Sequence, residues 1–217
     1  MRSLAEPLRR AKVLVFDFDG TLVDSNPIKH RAFEICFERF PEQRKRILEY
    51  CCGNPHVTRD LKFRHVVEQI LRLPYTARIE THLHRRFGAL TTRQIIRAPA
   101  LSGAEEFLRA WFPRKRLALL SSTPQRPIEK ILEGRKWRSY FHIVRGAPVD
   151  KADWLKELIR DELSGDPDRV LFFGDTPDDR ESARSAGCPF VGVREPALRG
   201  RSTYFLSDFS EELAHAA

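Results

Sequence analysis

The chain has no apolar run that approaches the ~20 residues of a membrane-spanning helix. Its first apolar stretch, Val13-Leu14-Val15-Phe16, is also too short for the core of a secretory signal. No membrane association is therefore expected. No internal repeat, low-complexity tract or recognised nucleic-acid module is evident. Cysteine is scarce: Cys36, Cys51, Cys52 and Cys188 match no zinc spacing. The adjacent Cys51 and Cys52 are also a poor pair for one bridge. These residues read as free, largely buried thiols in a reducing compartment, which points to the cytoplasm.

Basic charge is plentiful. Lys and Arg number 38 against 30 Asp and Glu, a net charge of +8 over 217 residues. The excess favours an anionic partner, such as a phosphorylated metabolite or a nucleic acid. It is scattered in short clusters such as Arg44-Lys45-Arg46 and Arg114-Lys115-Arg116. These read most simply as solvated faces. A small phosphorylated metabolite is the expected partner, and nucleic acid is not.

Two kinds of sequence alternate along the chain. Residues 12–22 and about 100–206 carry short apolar runs separated by helical patterns. The strand candidates are Val13–Phe16, Leu117–Leu120, Ile143–Val144, Val170–Phe173, Phe190–Val193 and Tyr204–Leu206. Strands that alternate with helices predict an α/β fold with a doubly wound parallel sheet. Residues 27–97 instead carry long helical patterns: Pro27–Phe40, Pro41–Cys51, Val57–Leu71 and Thr76–Leu90. In the third, Val57, Leu61, Val66, Val67, Ile70 and Leu71 recur at near-helical spacing. An all-helical module inserted after the first strand is expected, with a core domain of 1–23 and 99–217 and an insert of 24–98. The crossings Val23–Pro27 and Ala98–Ser102 are the candidate hinges.

The most informative stretch is Asp17-Phe18-Asp19-Gly20-Thr21-Leu22. Two carboxylates stand at i and i+2 at the C-terminal end of a buried strand, where open α/β sheets bind ligands. On extended backbone they share a side, and Gly20 permits a sharp turn after them. Such a pair suits either a nucleophile beside an acid/base or a divalent-metal site. A second buried run, Val170 to Phe173, ends in Gly174-Asp175-Thr176-Pro177-Asp178-Asp179. Asp179 lies one helical turn beyond Asp175 and can face the same point, whereas Asp178 can cap the helix or face solvent. Clustered acids at two strand ends call for a hard dication, most plausibly Mg²⁺. Ser121-Ser122-Thr123 either holds phosphate oxygens or caps the next helix. Lys151 is either solvated or a fixed cation near the site.

These residues, taken in order, resemble the haloacid dehalogenase-like hydrolase superfamily over nearly the whole chain. Asp17-x-Asp19-Gly20-Thr21 is similar to its first motif, Ser121 to the second, Lys151 to the third, and Gly174-Asp175-x-x-x-Asp179 to the fourth. The resemblance implies a Rossmann-like core, and the helical insert resembles the family's C1-type cap. Val23-Asp24-Ser25 is similar to the phosphoglycolate-phosphatase-like branch. The second motif departs from the commoner Thr-Asn, and Val149-Asp150-Lys151-Ala152 departs from the commoner Lys-Pro form. Dehalogenases of the superfamily lack the second aspartate, so Asp19 implies phosphoryl transfer.

The resemblance also implies roles. Asp17 would be the nucleophile and Asp19 the acid/base, with its backbone carbonyl on Mg²⁺. Asp175 would complete the metal site with Asp17. Asp179 would support it through water or by orienting Lys151. Ser121 and Lys151 would hold phosphoryl oxygens, with Gly20, Thr21 and Ser122 lining the substrate. In the insert, Cys52-Gly53-Asn54 is similar in place to the family's specificity loop. Arg59 and Lys62 follow it and either meet an anionic group of the substrate or face solvent. The expected activity is Mg²⁺-dependent hydrolysis of a small phosphomonoester through an aspartyl-phosphate, by a monomer or homodimer. A phosphomutase of sugar phosphates, or a non-catalytic nucleic-acid-binding or scaffold protein on the same fold, are the alternatives.

Overall fold

A computed structural model describes residues 3–54 and 57–213. The chain divides into two compact units: Met1–Asp24 with Pro99–Ala217, and Ser25–Ala98. In chain order the elements are α1 (Ala5–Arg10), β1 (Val13–Phe16), α2 (Asn26–Cys36), α3 (Arg44–Gly53), α4 (Arg59–His65) and α5 (Ala77–Arg97). They continue with α6 (Ala104–Trp111), β2 (Arg116–Pro124), α7 (Gln125–Gly134), β3 (Ile143–Ala147), α8 (Lys151–Glu162) and β4 (Val170–Gly174). The last are α9 (Pro177–Ala186), β5 (Phe190–Val193), β6 (Tyr204–Leu206) and α10 (Ser210–Leu213). Among the described residues, no helix is long and apolar enough to cross a membrane.

Every strand pairing is parallel, in the order β3-β2-β1-β4-β5-β6. Strand β1 is central and buried on both faces, which is why it reads as an unbroken apolar run rather than an alternation. Val15 lies between Ala118 of β2 and Phe172 of β4. Val13 and Val15 pack into one core layer with Leu155, Leu158 and Ile159 of α8. On the opposite face Phe16 stacks on Phe173 at 4.8 Å and meets Phe107 edge-on at 6.2 Å. Each such fully buried large side chain contributes about 1.5–3 kcal/mol. The order of strands reverses beside β1, since β2 and β3 extend one way and β4 to β6 the other. That reversal opens a crevice over the carboxyl ends of β1 and β4.

The helical unit has its own core. Phe33 of α2, Phe63 of α4 and Phe87 of α5 pack together, with Phe33 and Phe87 centroids 4.8 Å apart. Three features differ from the sequence expectation. Strand β2 runs through Ser121-Ser122-Thr123 to Pro124 rather than stopping at Leu120. Helix α5 continues past Leu90 to Arg97, since its buried face of Leu83 and Phe87 carries on through Thr91 and Ile95, and the Thr91 hydroxyl is satisfied on the Phe87 carbonyl at 2.8 Å. Leu61, expected on the apolar face, is 55% exposed, and Lys62 beside it is 7% exposed.

Candidate active site

The ladder of β1 continues one residue into the first motif, where Asp17 N donates to Phe173 O at 2.9 Å. The chain then turns back at once. Gly20 takes a φ of 86°, open to glycine at no steric cost, and its N–H donates to Val23 O at 2.8 Å. The turn holds Asp17 and Asp19 over the strand end. Asp17 is buried, and Asp19 is half-buried.

At the end of β4, Gly174 has a separate task. A Cβ there would sit 2.5 Å from Asp179 Cβ and 2.8 Å from Asp179 Oδ2. Only glycine lets the first turn of α9 close onto the strand end. Thr176 caps that helix, with its hydroxyl accepting from Asp179 N at 3.1 Å. In return Asp179 Oδ2 accepts from Thr176 N at 3.2 Å and from the Thr176 hydroxyl at 2.6 Å. This reciprocal cap fixes the carboxylate. Asp178 does not cap the helix; it lies in the first turn, half-buried.

Lys151 opens α8, behind the Asp150 N-cap. Its Nζ donates to Asp17 Oδ1 and to Asp179 Oδ1, each at 2.7 Å. Asp175 completes the group. Carboxylate oxygens of Asp17, Asp175 and Asp179 lie within 4.8 Å of one another, and Asp175 Oδ1 accepts from the Thr21 hydroxyl at 3.0 Å. Ionised, three carboxylates face one ammonium, which leaves two excess negative charges. The titration shifts reflect that imbalance. Burial, reinforced by Asp179 and Asp19, raises Asp17 to about 6 despite the attraction of Lys151. Burial and the Asp17 charge push Asp175 well above the usual carboxylate range. Burial favours loss of the Lys151 proton, but the charges of Asp17 and Asp179 outweigh it and hold the proton more tightly than in an ordinary lysine. A divalent cation would balance the cluster, and oxygen-only donors suit a hard one such as Mg²⁺. Asp17 and Asp175 could hold it. Both oxygens of Asp179 are already engaged by the chain's own donors, and the Asp19 carboxylate is not in the three-acid group.

The hydroxyl segment of β2 sits on the other flank. Ser121 is fully buried, and its Oγ accepts from Thr123 N at 3.1 Å. Thr123 donates its hydroxyl to Asp19 Oδ2 at 2.8 Å. Ser122, between them, is half-buried. None of the three caps α7, whose N-cap is Pro124. Sequence reasoning placed Thr123 only within the hydroxyl segment and did not foresee its contact with Asp19. The available signal was period-2 geometry, which puts 121 and 123 on the same side of a strand. In the helical unit, Asn54 Nδ2 donates to Tyr50 O at 2.8 Å. The Arg59 guanidinium lies 5.0 Å from the Phe87 ring centroid.

A change at Gly174 tests this local geometry. Gly174→Ala should displace the Asp179 carboxylate and loosen Lys151. It should cost about 1–3 kcal/mol from overpacking, read as a lower unfolding midpoint, and reduce turnover at least in proportion to the misplaced lysine. Unchanged stability together with unchanged turnover would contradict the close approach.

A parallel sheet with acids at the ends of its first and fourth strands, a lysine clamp and a helical insert after the first strand defines a class of hydrolase. The model of the haloacid dehalogenase-like hydrolase family matches residues 11–187, and the chain belongs to that family. Among curated relatives, it is 26% identical over 189 residues to the phosphorylated carbohydrates phosphatase of Thermotoga maritima, covering 81% of this chain and 82% of the relative. It is 29% identical over 194 residues to the phosphoglycolate phosphatase of Synechococcus elongatus, covering 84% and 83%. Among solved structures, a predicted phosphoglycolate phosphatase from Haemophilus somnus superposes with a TM-score of 0.74 at 20% identity. That match covers 96% of this chain and 99% of the other, and it shows a shared fold.

Proposed function

We propose that the protein is a Mg²⁺-dependent phosphatase that hydrolyses a small phosphorylated metabolite through a phosphorylated Asp17. The observation that carries this is Lys151, clamped between Asp17 and Asp179 in a cluster short of two positive charges. The names of the curated relatives support the substrate class. The four unbridged cysteines support a reducing, cytoplasmic setting.

Asp17 attacks phosphorus and replaces one hard displacement by two easier ones. Lys151 fixes Asp17 through Oδ1 and offers its charge to the phosphoryl oxygens. Asp179 acts through Lys151, which it orients. Asp19 protonates the leaving oxygen, then takes the proton from the water that cleaves the intermediate. Thr123, on Asp19 Oδ2, sets the direction in which that carboxyl points. Ser121, Ser122, Gly20 and Thr21 supply hydroxyls and backbone amides to the phosphoryl group. The metal, when bound by Asp17 and Asp175, neutralises charge on the transferring group. The helical unit carries none of these groups, and we assign it to substrate choice, through Asn54, Arg59 and Lys62.

Phosphate release from a panel of phosphorylated metabolites, with and without Mg²⁺, tests the reading. Release that needs Mg²⁺ supports it. Isomerisation of a sugar phosphate without release would replace it with a mutase.

Asp19→Asn should lower the rate roughly 10²- to 10⁴-fold, the range for a general acid/base. The loss should shrink for aryl phosphates with good leaving groups, which need little protonation. Equal losses across leaving groups of widely different basicity would contradict the acid role.

A further inference from the structure

Because every strand pairing is parallel, the amino ends of the strands lie along one edge of the sheet, opposite the carboxyl ends beside Asp17 and Asp175. That edge collects basic residues from distant parts of the chain. Arg9 and Arg10 end α1, Lys12 leads into β1, Lys115 and Arg116 lead into β2, and Arg169 leads into β4. The backbone holds them side by side. Lys12 N donates to Arg169 O at 2.8 Å, and Arg116 N donates to Lys12 O at 3.1 Å. Neighbouring strands are about 4.8 Å apart, so Arg169, Lys12 and Arg116 form a row across β4, β1 and β2. Lys115 Nζ donates to Arg9 O at 2.9 Å and to Ala11 O at 2.5 Å, which ties the two basic clusters together.

The acids nearby balance only part of this charge. Arg10 pairs with Asp168 at 2.9 Å, Arg169 with Asp166 at 3.1 Å, and Arg116 with Glu162. Lys115 meets uncharged carbonyl oxygens and the Trp111 ring, and keeps its charge. Arg9 and Lys12 are exposed, and among the described residues neither has a carboxylate within ion-pair distance. Crowded like charges repel one another, and an anionic partner along the row relieves that repulsion.

The loop before β2 adds one aromatic. Phe112 lies three residues before Lys115, is 37% exposed and meets the Tyr140 ring at 5.4 Å. The other exposed large apolar side chains among the described residues, Leu61 and Leu73, belong to the helical unit. One aromatic is too little to anchor a bilayer, but it offers a flat face on which an unpaired base can stack. We infer that this edge of the sheet binds the phosphate backbone of a single-stranded nucleic acid, with Arg9, Lys12 and Lys115 supplying the charge. Arginine predominates in the row, and its forked donors match phosphate oxygens. Contacts to phosphate read no base sequence, so binding is indifferent to sequence. The sequence alone leaves these clusters as separate solvated faces, because only the sheet brings residues 9–12 and 114–116 together. The row sits at the opposite end of the strands from Asp17, so binding there is independent of turnover.

The test is fluorescence anisotropy of a labelled single-stranded oligouridylate with the full chain, between ~50 and ~200 mM salt. Wild type should bind, with log K falling against log salt at a slope of about −2, as three phosphate contacts give on a single strand. In the double variant Arg9→Glu, Lys12→Glu the Kd should rise at least ~10-fold, and the slope should become shallower by roughly 1.4. Its unfolding temperature and any phosphatase turnover should match wild type. If that variant does not fold, Arg9→Gln with Lys12→Gln removes the same charges without reversing them, and should also weaken binding and flatten the slope. The comparison variant is Lys45→Glu, Arg46→Glu, which makes the same change in net charge within the helical unit. It should bind nearly as wild type does. Equal loss in both charge-reversed pairs would show that binding follows net charge alone and would overturn the assignment to this edge. No binding by wild type at the lowest salt would overturn the proposal. So would binding to phosphatidylserine vesicles with none to the oligouridylate.

Discussion

Asp17→Asn is expected to abolish turnover and yet to raise the unfolding temperature of the metal-free protein. Asparagine is nearly isosteric with aspartate, so the packing beneath it survives, but its amide is a far poorer nucleophile than a carboxylate. The stability gain follows from the raised titration point. Burial lifts the Asp17 carboxyl from 3.8 to about 6, so the folded state binds a proton that the unfolded state has released. Below pH 4 both states hold it and the residue is neutral in effect. As the pH rises towards 6, the unfolded state binds fewer protons and stability falls. Above 6 the full penalty remains. The difference in unfolding temperature between Asp17→Asn and wild type should therefore be near zero at pH 4, grow with pH and level off by pH 7. Calorimetry in chelator checks the sign. A variant less stable than wild type at pH 7, or one with near wild-type turnover, would remove Asp17 from its assigned role.

The second large effect is expected from Asp175→Ala. On the proposed reading it supplies, with Asp17, the carboxylates for the metal, and the remaining acid, Asp179, has both oxygens committed to Lys151 and Thr176. No other carboxylate in the three-acid group is open to replace it. Wild-type activity should vanish in excess chelator and return with Mg²⁺. In Asp175→Ala the Mg²⁺ concentration for half-maximal rate should rise by at least ~10-fold, the equivalent of about 1.4 kcal/mol. Full activity in chelator would sink the metal assignment. An unshifted Mg²⁺ dependence in the variant would move the metal away from Asp175.

Much of the catalytic unit is legible in the sequence because its signals are local. Strands buried on both faces leave unbroken apolar runs, and Val13–Phe16, Phe190–Val193 and Tyr204–Leu206 have the bounds the sequence suggests. The first and fourth motifs fall at strand ends, so Asp17, Asp175 and Asp179 stand out before any fold is drawn, whereas Lys151, at the start of α8, is singled out only by the family resemblance. What the sequence hides depends on tertiary context. Ser121-Ser122-Thr123 looks like a cap because hydroxyls are common there. It is strand because β3 pairs alongside, with Ser121 opposite Gly146. Thr123 then meets Asp19 across 104 residues of chain, a contact no local pattern announces. The two jobs of Asp179, capping α9 and holding Lys151, are likewise set by the bare Cα of Gly174. In the helical unit the inversion at Leu61 and Lys62 defeats periodicity outright. Hydrophobic spacing can place a helix, but it cannot foresee a buried charge in place of an apolar side chain.

The central claim is that Asp17 carries the phosphoryl group during turnover. The direct measurement is to quench the working enzyme with substrate and Mg²⁺ present, reduce it with borohydride, and map the peptides by mass spectrometry. Borohydride converts an acyl phosphate to an alcohol, so an aspartyl-phosphate becomes homoserine while a free aspartate is untouched. The account predicts homoserine at position 17, dependent on substrate and absent from Asp17→Asn. An enzyme that turns over substrate with Asp17 unmodified, or with the modification at another residue, would contradict it.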